Sequence, residues 1–370
     1  MRTRAALLWE APGRWEVGEV ELDEPKENEV LVQLAASGLC HSDDHFAKGD
    51  ISVATLPFVG GHEGAGVVEA VGPGVRTLKP GDRIVTAFVP GCGRCRWCAS
   101  GQQNICDNGA LMLTGSQLDG TFRMHVDGRD VGQGGCVSTF SEWSVMPEAS
   151  CVKIDDDVPF QVACLVGCGV PTGWGSSVRA AGIVPGDVII IVGTGGVGMN
   201  AVQGARYVGA TRVIAVDPVP FKRELALKMG ATDAFADIEP AAELARSITN
   251  GQGADAAVVT VGVVTGQHLA QAFAAIRKGG TVVATAAGNQ NETGIPVNLL
   301  ELTMYQKRIQ GAIYGMGSPV REIPLMIDLY KRGDLKLDEL VTRTYPLEEI
   351  NQGYEDMHAG LNIRGVITFN

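Results

Sequence analysis

Cys92, Cys95 and Cys98 stand at three-residue intervals and Cys106 follows shortly after, so four thiols fall within one short stretch. Thiolates are the soft anionic ligands that Zn²⁺ takes in a tetrahedron, and Gly91 and Gly93 ease the turns that a loop makes in wrapping one ion. Four protein ligands leave no position for water or a substrate. This pattern predicts a structural zinc that folds its own loop and does no chemistry.

A second constellation is scattered. Cys40 lies in Gly38-Leu39-Cys40-His41-Ser42-Asp43-Asp44-His45, His62 in Gly60-Gly61-His62-Glu63-Gly64, and Cys168 between Gly167 and Gly169. Two thiolates and one imidazole would leave a fourth zinc position open, which is what a catalytic zinc requires. On the residues alone the choice stays open. Cys164, Cys136 and Cys151 are competing thiols, any one of these cysteines also reads as a small buried hydrophobe, and His62 as a satisfied core histidine.

A third motif follows an apolar run. Val188-Ile189-Ile190-Ile191-Val192 leads into Gly193-Thr194-Gly195-Gly196-Val197-Gly198 and then a helical stretch from Met199 to Val208. The three spaced glycines give a tight turn, let a pyrophosphate approach backbone N–H groups, and let helix and strand pack closely. In a chain with 49 glycines the match alone is weak. Its setting between strand and helix, with a second strand running to Asp217, makes it strong. A carboxylate at Asp217 accepts hydrogen bonds from free ribose hydroxyls and repels an extra phosphate, which favours NAD over NADP. Lys222, at the start of the next helix, reads equally as a ribose contact and as a solvated lysine.

These residues need elements to position them. The chain has 370 residues, beyond the size at which one core keeps growing, so two domains are expected. Residues 1–169 carry short alternating runs such as Glu29–Leu34 and Gly66–Val71, broken by Gly, Pro and Asp, and predict a mostly β domain. Residues 170–314 alternate apolar strands (Asp187–Val192, Arg212–Asp217, Ala256–Val261, Gly280–Thr285) with amphipathic stretches such as Ala241–Thr249, predicting a doubly wound α/β domain on a parallel sheet. Residues 315–370, with a helix around Ile323–Arg332 and a strand at Gly365–Phe369, are expected to complete the first domain. Apolar residues make up 45% and charged residues 19% of the chain, the composition of a folded globular protein. A net charge of −12 argues against nucleic acid and anionic membrane surfaces as partners. No apolar run approaches the ~20 residues of a membrane span, and no export signal is read at the start, so a cytoplasmic protein with reduced cysteines is expected.

Taken in order, Gly38–Asp43, Gly61–Gly66, the four-cysteine loop, Cys164–Gly169 and the glycine fingerprint resemble the zinc-dependent medium-chain alcohol dehydrogenases over nearly the full chain. The resemblance implies a GroES-like catalytic domain joined to a Rossmann domain, two zinc ions and NAD. It implies catalytic zinc ligands at Cys40, His62 and Cys168, with Glu63 beside the metal and Cys164 as packing. Asp43 would orient the histidine ligand. Ser42 would contact the substrate oxygen and His45 would pass the proton towards solvent by way of the nicotinamide ribose. The coenzyme set would comprise His41, Thr172, Gly193, Gly195, Gly196, Val197, Gly198, Asp217, Lys222 and Arg364. His41 stands where the family often has a pyrophosphate-gripping arginine and would be only partly charged near neutral pH; Arg364 matches another phosphate-contacting arginine. Gly134 and Gly135 replace bulky substrate-facing side chains, with Phe88 kept as an aromatic wall, so a roomy pocket is expected.

The segment from Cys106 to Phe140 and the opening Leu22-Asp23-Glu24-Pro25 look most like the nitrosoaniline-dependent nicotinoprotein branch, in which NAD(H) stays bound and an external electron acceptor regenerates it. The expected substrate is a small alcohol or aldehyde. The alternatives are a thiol-adduct formaldehyde dehydrogenase of the same fold and a non-catalytic NAD- and zinc-binding protein. Lys307–Gly315 resembles the family's edge strand, which pairs with its symmetry mate, so a homodimer or homotetramer is expected.

Overall fold

The computed structural model describes residues 1–369. Two compact units emerge: Met1–Cys168 with Ser318–Gly333 and the stretch from Leu337 onward, and Gly169–Gly317 with Asp334–Lys336.

The first unit holds two β systems. Strands Arg2–Leu8, Trp15–Leu22, Met124–Val126, Arg129–Gln133 and Phe58–Val59 close a small barrel. Leu7, Leu8, Trp15, Phe58 and Phe140 fill its core. A larger sheet runs in the order Cys151–Lys153, Arg83–Thr86, Glu63–Val71, Glu29–Gly38, Arg364–Thr368, Val341–Tyr345, with Trp143–Pro147 also paired to Glu29–Gly38. The C-terminal strand lies antiparallel to Glu29–Gly38 with Val366 opposite Gly38, so the tail is built into the N-terminal sheet.

This unit also holds two helices beyond those expected from the sequence, His41–Lys48 and Ile350–His358. The first has its signals in plain view: Asp43 and Asp44 in the first turn, Lys48 in the last, and Gly49 in the left-handed conformation (φ +75°) as its stop.

In the second unit a six-stranded sheet runs Asp233–Phe235, Arg212–Val216, Val188–Val192, Ala254–Val259, Ile276–Ala284, Arg308–Gly311, parallel throughout. Ile189, Ile190 and Ile191 are fully buried, each worth about 1.5–3 kcal/mol of burial free energy. A strand covered on both faces is why that run is apolar without alternation. The edge strand is shorter than expected from Lys307–Gly315: it ends at Gly311, and Tyr314, Gly315 and Met316 all take positive φ in a tight turn.

The segment between Cys106 and Phe140 is tied down by a buried ion pair. Arg123, fully buried, donates through Nε and Nη2 to the two Glu29 oxygens at 2.7 and 2.6 Å, and Nη2 also reaches Asp119 at 2.7 Å. Removing one partner strands the other's charge in a dry site. Arg123→Met is expected to lower the unfolding free energy by about 3 kcal/mol in urea titrations, and Arg123→Met with Glu29→Met to recover most of it. An unchanged midpoint for the single variant would show that the pair does not anchor the segment.

Candidate metal and coenzyme sites

The first candidate centre is made by sheet register. Glu29–Gly38 and Glu63–Val71 are antiparallel with Gly38 opposite Glu63, and Cys40 follows two residues beyond Gly38. His62 immediately precedes the second strand, and Cys168 ends a short helical turn, Cys164–Gly167. Ligand atoms of Cys40, His62, Glu63 and Cys168 all lie within 4.8 Å of one another, and all four residues are buried. Cys164 is not in the cluster; its Sγ donates to the Gln161 carbonyl at 3.3 Å.

Electrostatics at this centre follow from burial. His62 Nδ1 is 3.0 Å from Asp43 Oδ2, and Asp43 Oδ1 accepts from the Gly61 N–H at 2.7 Å. With Nδ1 directed at a carboxylate, Nε2 is the nitrogen available to a metal. Burial opposes a charge on His62, but Asp43 and the Cys40 thiolate outweigh it and hold its pKa well up. A hydrogen bond from Cys168 lowers the Cys40 thiol, and the same bond, with burial, raises Cys168. Burial lifts Glu63 to about 7 against the pull of Arg364. Glu63 Oε2 pairs with Arg364 Nη2, while Oε1 is buried without a partner. An orphaned carboxylate oxygen beside two thiols and an imidazole is a donor set fitted to a divalent cation.

Gly38 is glycine for a reason visible here. A Cβ at this position would run into Glu63 Oε2 and come within 3.1 Å of Arg364 Nη2. The ion pair crosses directly over the glycine.

Arg364, matched above to a phosphate contact, also faces the first centre: it is 6% exposed, and burial, which opposes its charge, is overcome by Glu63 and the thiolates. The sequence missed this pair because the two residues are 301 positions apart. His41 also departs from expectation. Burial drives its imidazole down to about 4, so it is neutral near pH 7 and can only donate or accept a hydrogen bond. Ser42 Oγ lies 3.6 Å from Cys40 Sγ, at the edge of the centre. His45 is 1% exposed; its Nδ1 is 2.9 Å from Asp50 Oδ2 and its Nε2 is buried without a partner.

The four-cysteine loop forms the second centre. Sγ atoms of Cys92 and Cys98 are 4.0 Å apart, and those of Cys95 and Cys106 are 3.8 Å apart. A tetrahedron with Zn–S bonds of about 2.3 Å has edges of about 3.8 Å. Backbone N–H groups of Cys92, Cys95 and Cys98 point at the sulfurs of Cys106, Cys92 and Cys95. Such donors hold Cys92 low and bring Cys95 to about 6, whereas burial raises Cys106 and takes Cys98 to about 12.

In the second unit Gly193, at φ +88°, closes the turn after Val188–Val192. A Cβ on Gly198 would strike the Gly193 carbonyl oxygen, whereas one on Gly195 would meet nothing within 4 Å. The space over Gly195 opens onto the start of helix Gly196–Tyr207, whose first N–H groups have no side-chain cap. That is an anion cradle. Val197 is in its first turn, half-buried. Thr172 sits on helix Gly169–Gly175, where Gly173 lets the backbone abut Val197. Asp217 is 5% exposed and accepts from the Thr194 and Val219 N–H groups at 2.8 and 2.9 Å, which leaves further lone pairs for ribose hydroxyls. Lys222 is half-buried; its neighbour Arg223 clamps the Asp217 and Pro218 carbonyls, a role no sequence signal marked.

The glycines at 134 and 135 lie against aromatic side chains. A Cβ on Gly134 would sit 3.1 Å from Phe58, and one on Gly135, at φ +59°, 3.1 Å from Phe88. They are small because aromatic neighbours already occupy the space.

Residues 26–156 match the alcohol dehydrogenase GroES-like domain family and residues 196–332 the zinc-binding dehydrogenase family. The chain is 50% identical over 367 residues, 99% of each sequence, to the NDMA-dependent alcohol dehydrogenase of Amycolatopsis methanolica. Among solved structures, an alcohol dehydrogenase zinc-binding domain protein from Burkholderia ambifaria superposes with a TM-score of 0.93 at 33% identity, covering 100% of this chain and 99% of that one. Benzyl alcohol dehydrogenase from Acinetobacter calcoaceticus superposes with a TM-score of 0.92 at 29% identity, covering all of both chains. With two cysteine-bearing clusters and a glycine-turn cradle on this fold, the chain belongs to the medium-chain zinc-dependent alcohol dehydrogenase family. It is an enzyme of that activity, and the relatives favour this over a thiol-adduct dehydrogenase.

The two fingerprint glycines separate fold from binding. Gly198→Ala is expected to lower the melting temperature by several degrees, because its methyl displaces the Gly193 turn. Gly195→Ala should melt like the unmodified protein yet bind NADH at least tenfold more weakly by fluorescence titration. Equal NADH affinity would remove Gly195 from the cradle.

Proposed function

We propose that the protein oxidises primary alcohols to aldehydes with NAD, using one catalytic and one structural zinc per chain. The carrying observation is the convergence of Cys40, His62, Glu63 and Cys168 in one buried cluster. Bound there, zinc supplies Lewis acidity to an alcohol oxygen, and the nicotinamide supplies the acceptor for the hydride. Cys40, His62 and Cys168 hold the metal, with Glu63 beside it. Asp43 fixes the His62 ring, and Arg364 keeps Glu63 compensated. Ser42 takes the alcohol proton, and His45 receives it at Nε2. Asp217 selects the unphosphorylated ribose of NAD, and the N–H groups from Gly195 to Gly198 receive the pyrophosphate. Thr172, Lys222 and His41 complete the coenzyme contacts, His41 as a neutral partner.

The 50% identity to an NDMA-dependent enzyme supports a nicotinoprotein, in which NAD(H) stays bound and an external acceptor re-oxidises it. A homodimer, or a homotetramer built from it, is supported by the unpaired side of edge strand Arg308–Gly311 and by Leu299, Leu300 and Met304, which are about 70% exposed beside it. Among the described residues no helix is long and apolar enough to cross a membrane. The nine cysteines are all free and four of them gather in one loop as metal ligands would, which supports a cytoplasmic enzyme.

Metal analysis should find two zinc ions per chain. Cys168→Ser is expected to cut alcohol oxidation about 100-fold or more with the fold kept, whereas Cys95→Ser should lower thermal stability, because its zinc contributes folding free energy. Full activity in Cys168→Ser would remove it from the ligand set. Protein purified without added coenzyme should develop reduced-nicotinamide absorption near 340 nm (about 1 per chain) on addition of benzyl alcohol alone, as tight retention of the coenzyme requires. If it does so only after NAD is supplied, the coenzyme exchanges and the nicotinoprotein reading fails.

A further inference from the structure

Helix His41–Lys48 stops at Gly49, whose φ of +75° is the conformation glycine reaches without strain. Beyond it the Asp50 and Ile51 N–H groups turn back to the His45 carbonyl at 2.9 and 3.3 Å. This closure sets the Asp50 carboxylate against the ring of a histidine five residues earlier, Oδ2 to Nδ1 2.9 Å. The His45 side chain is 1% exposed and that of Asp50 22%.

A carboxylate only accepts hydrogen bonds, so Nδ1 of His45 carries the hydrogen and Nε2 of the neutral ring is a bare acceptor. Nε2 is buried and has no partner within the protein. The ring is therefore held at one end and ready to receive a proton at the other.

We infer that Asp50 is a positioning residue for proton removal: it sets the His45 tautomer and stabilises the imidazolium that forms when Nε2 takes a proton. This rests on the reading of His45 as the proton acceptor in alcohol oxidation. The alcohol hydroxyl gives its proton to Ser42 Oγ as Ser42 releases its own towards His45, and a new N–H bond forms at Nε2. The Nδ1–H bond is kept throughout, so His45 gains one proton and one positive charge opposite the Asp50 carboxylate. The electron pair of the substrate C–H bond would leave as hydride, for which bound NAD would supply the acceptor. After product departs, Nε2 returns the proton to water. Of the other titratable groups, His41 on the same helix interacts electrostatically with His45, Asp44 and Lys48 share that helix, and His358 comes from helix Ile350–His358. Asp44 holds both Lys48 and His358, at 2.9 and 2.8 Å, so Asp50 is the carboxylate left to His45.

The test uses the full chain as purified, with zinc and NAD, labelled with ¹⁵N-histidine; His45→Gln assigns the signal among the six histidines. Two-bond ¹H–¹⁵N spectra at about pH 8 are expected to show His45 protonated at Nδ1. Asp50→Asn keeps an acceptor and should keep that tautomer, whereas Asp50→Ala should lose it. In benzyl alcohol oxidation, Asp50→Asn should lower kcat about tenfold with KM changed less than twofold, and move the acidic limb of the kcat profile to lower pH, because a base without its anionic partner is weaker. An Nε2–H tautomer in the unmodified protein, or an Asp50→Asn profile superimposing on the unmodified one, overturns the inference. If the unmodified protein oxidised no alcohol, the functional reading would fail separately. The spectra of the unmodified protein and Asp50→Ala would still decide whether Asp50 sets the tautomer.

Discussion

Charge taken out of water is the constraint around which the first unit is organised. Asp43, His62, Glu63 and Arg364 are each less than a tenth exposed, and two thiols lie among them. Isolated, any one of these charges would be prohibitive in a medium of low dielectric, so each is set against an opposite. Arg364 faces Glu63, and His62 lies between Asp43 and Cys40. The compensation is incomplete. The hydrogen bond between Cys40 and Cys168 lowers the first thiol and raises the second, burial lifts Glu63 to about 7, and Glu63 Oε1 lacks a partner. Such a residue of unspent negative charge is what a divalent cation would neutralise.

The scaffold serves that arrangement at backbone level. Gly38, opposite both Glu63 and Val366, joins three strands of one sheet and has no side chain because the Glu63–Arg364 pair passes over it. The same strand then delivers Cys40, and helix His41–Lys48 follows at once with Ser42, Asp43 and His45. One strand-to-helix junction thereby presents a proposed metal ligand, the residue that orients the ring of another, and the two proposed proton carriers. Precision comes from placing chemistry on rigid elements rather than on a free loop.

The second unit solves its electrostatic problem with dipoles. Gly193 and Gly198 are required by contact, since the turn and the helix start nearly touch, while Gly195 has open space over it, which the proposed coenzyme would use. The uncapped N–H groups of Gly196–Tyr207 then form a fixed positive end that needs no buried cation. Asp217 is held by two backbone donors, so its carboxylate keeps one orientation with capacity to spare.

Local pattern was enough for much of this. The four-cysteine loop and the glycine turn are legible because their parts lie within a few residues of one another, and turn geometry at that range is written in residue type. The apolar runs marked the parallel strands for a similar reason: burial on both faces removes alternation. From the residues alone, the choice among Cys136, Cys151, Cys164 and Cys168 stayed open, and only the family resemblance narrowed it, because ligation by distant residues depends on register and burial. Only the tertiary structure joined Glu63 to Arg364 across the chain, neutralised His41 by desolvation, and filled the space beside Gly134 and Gly135 with Phe58 and Phe88. Each of these depends on which surfaces meet and how much water they exclude, quantities that no local stretch of sequence contains.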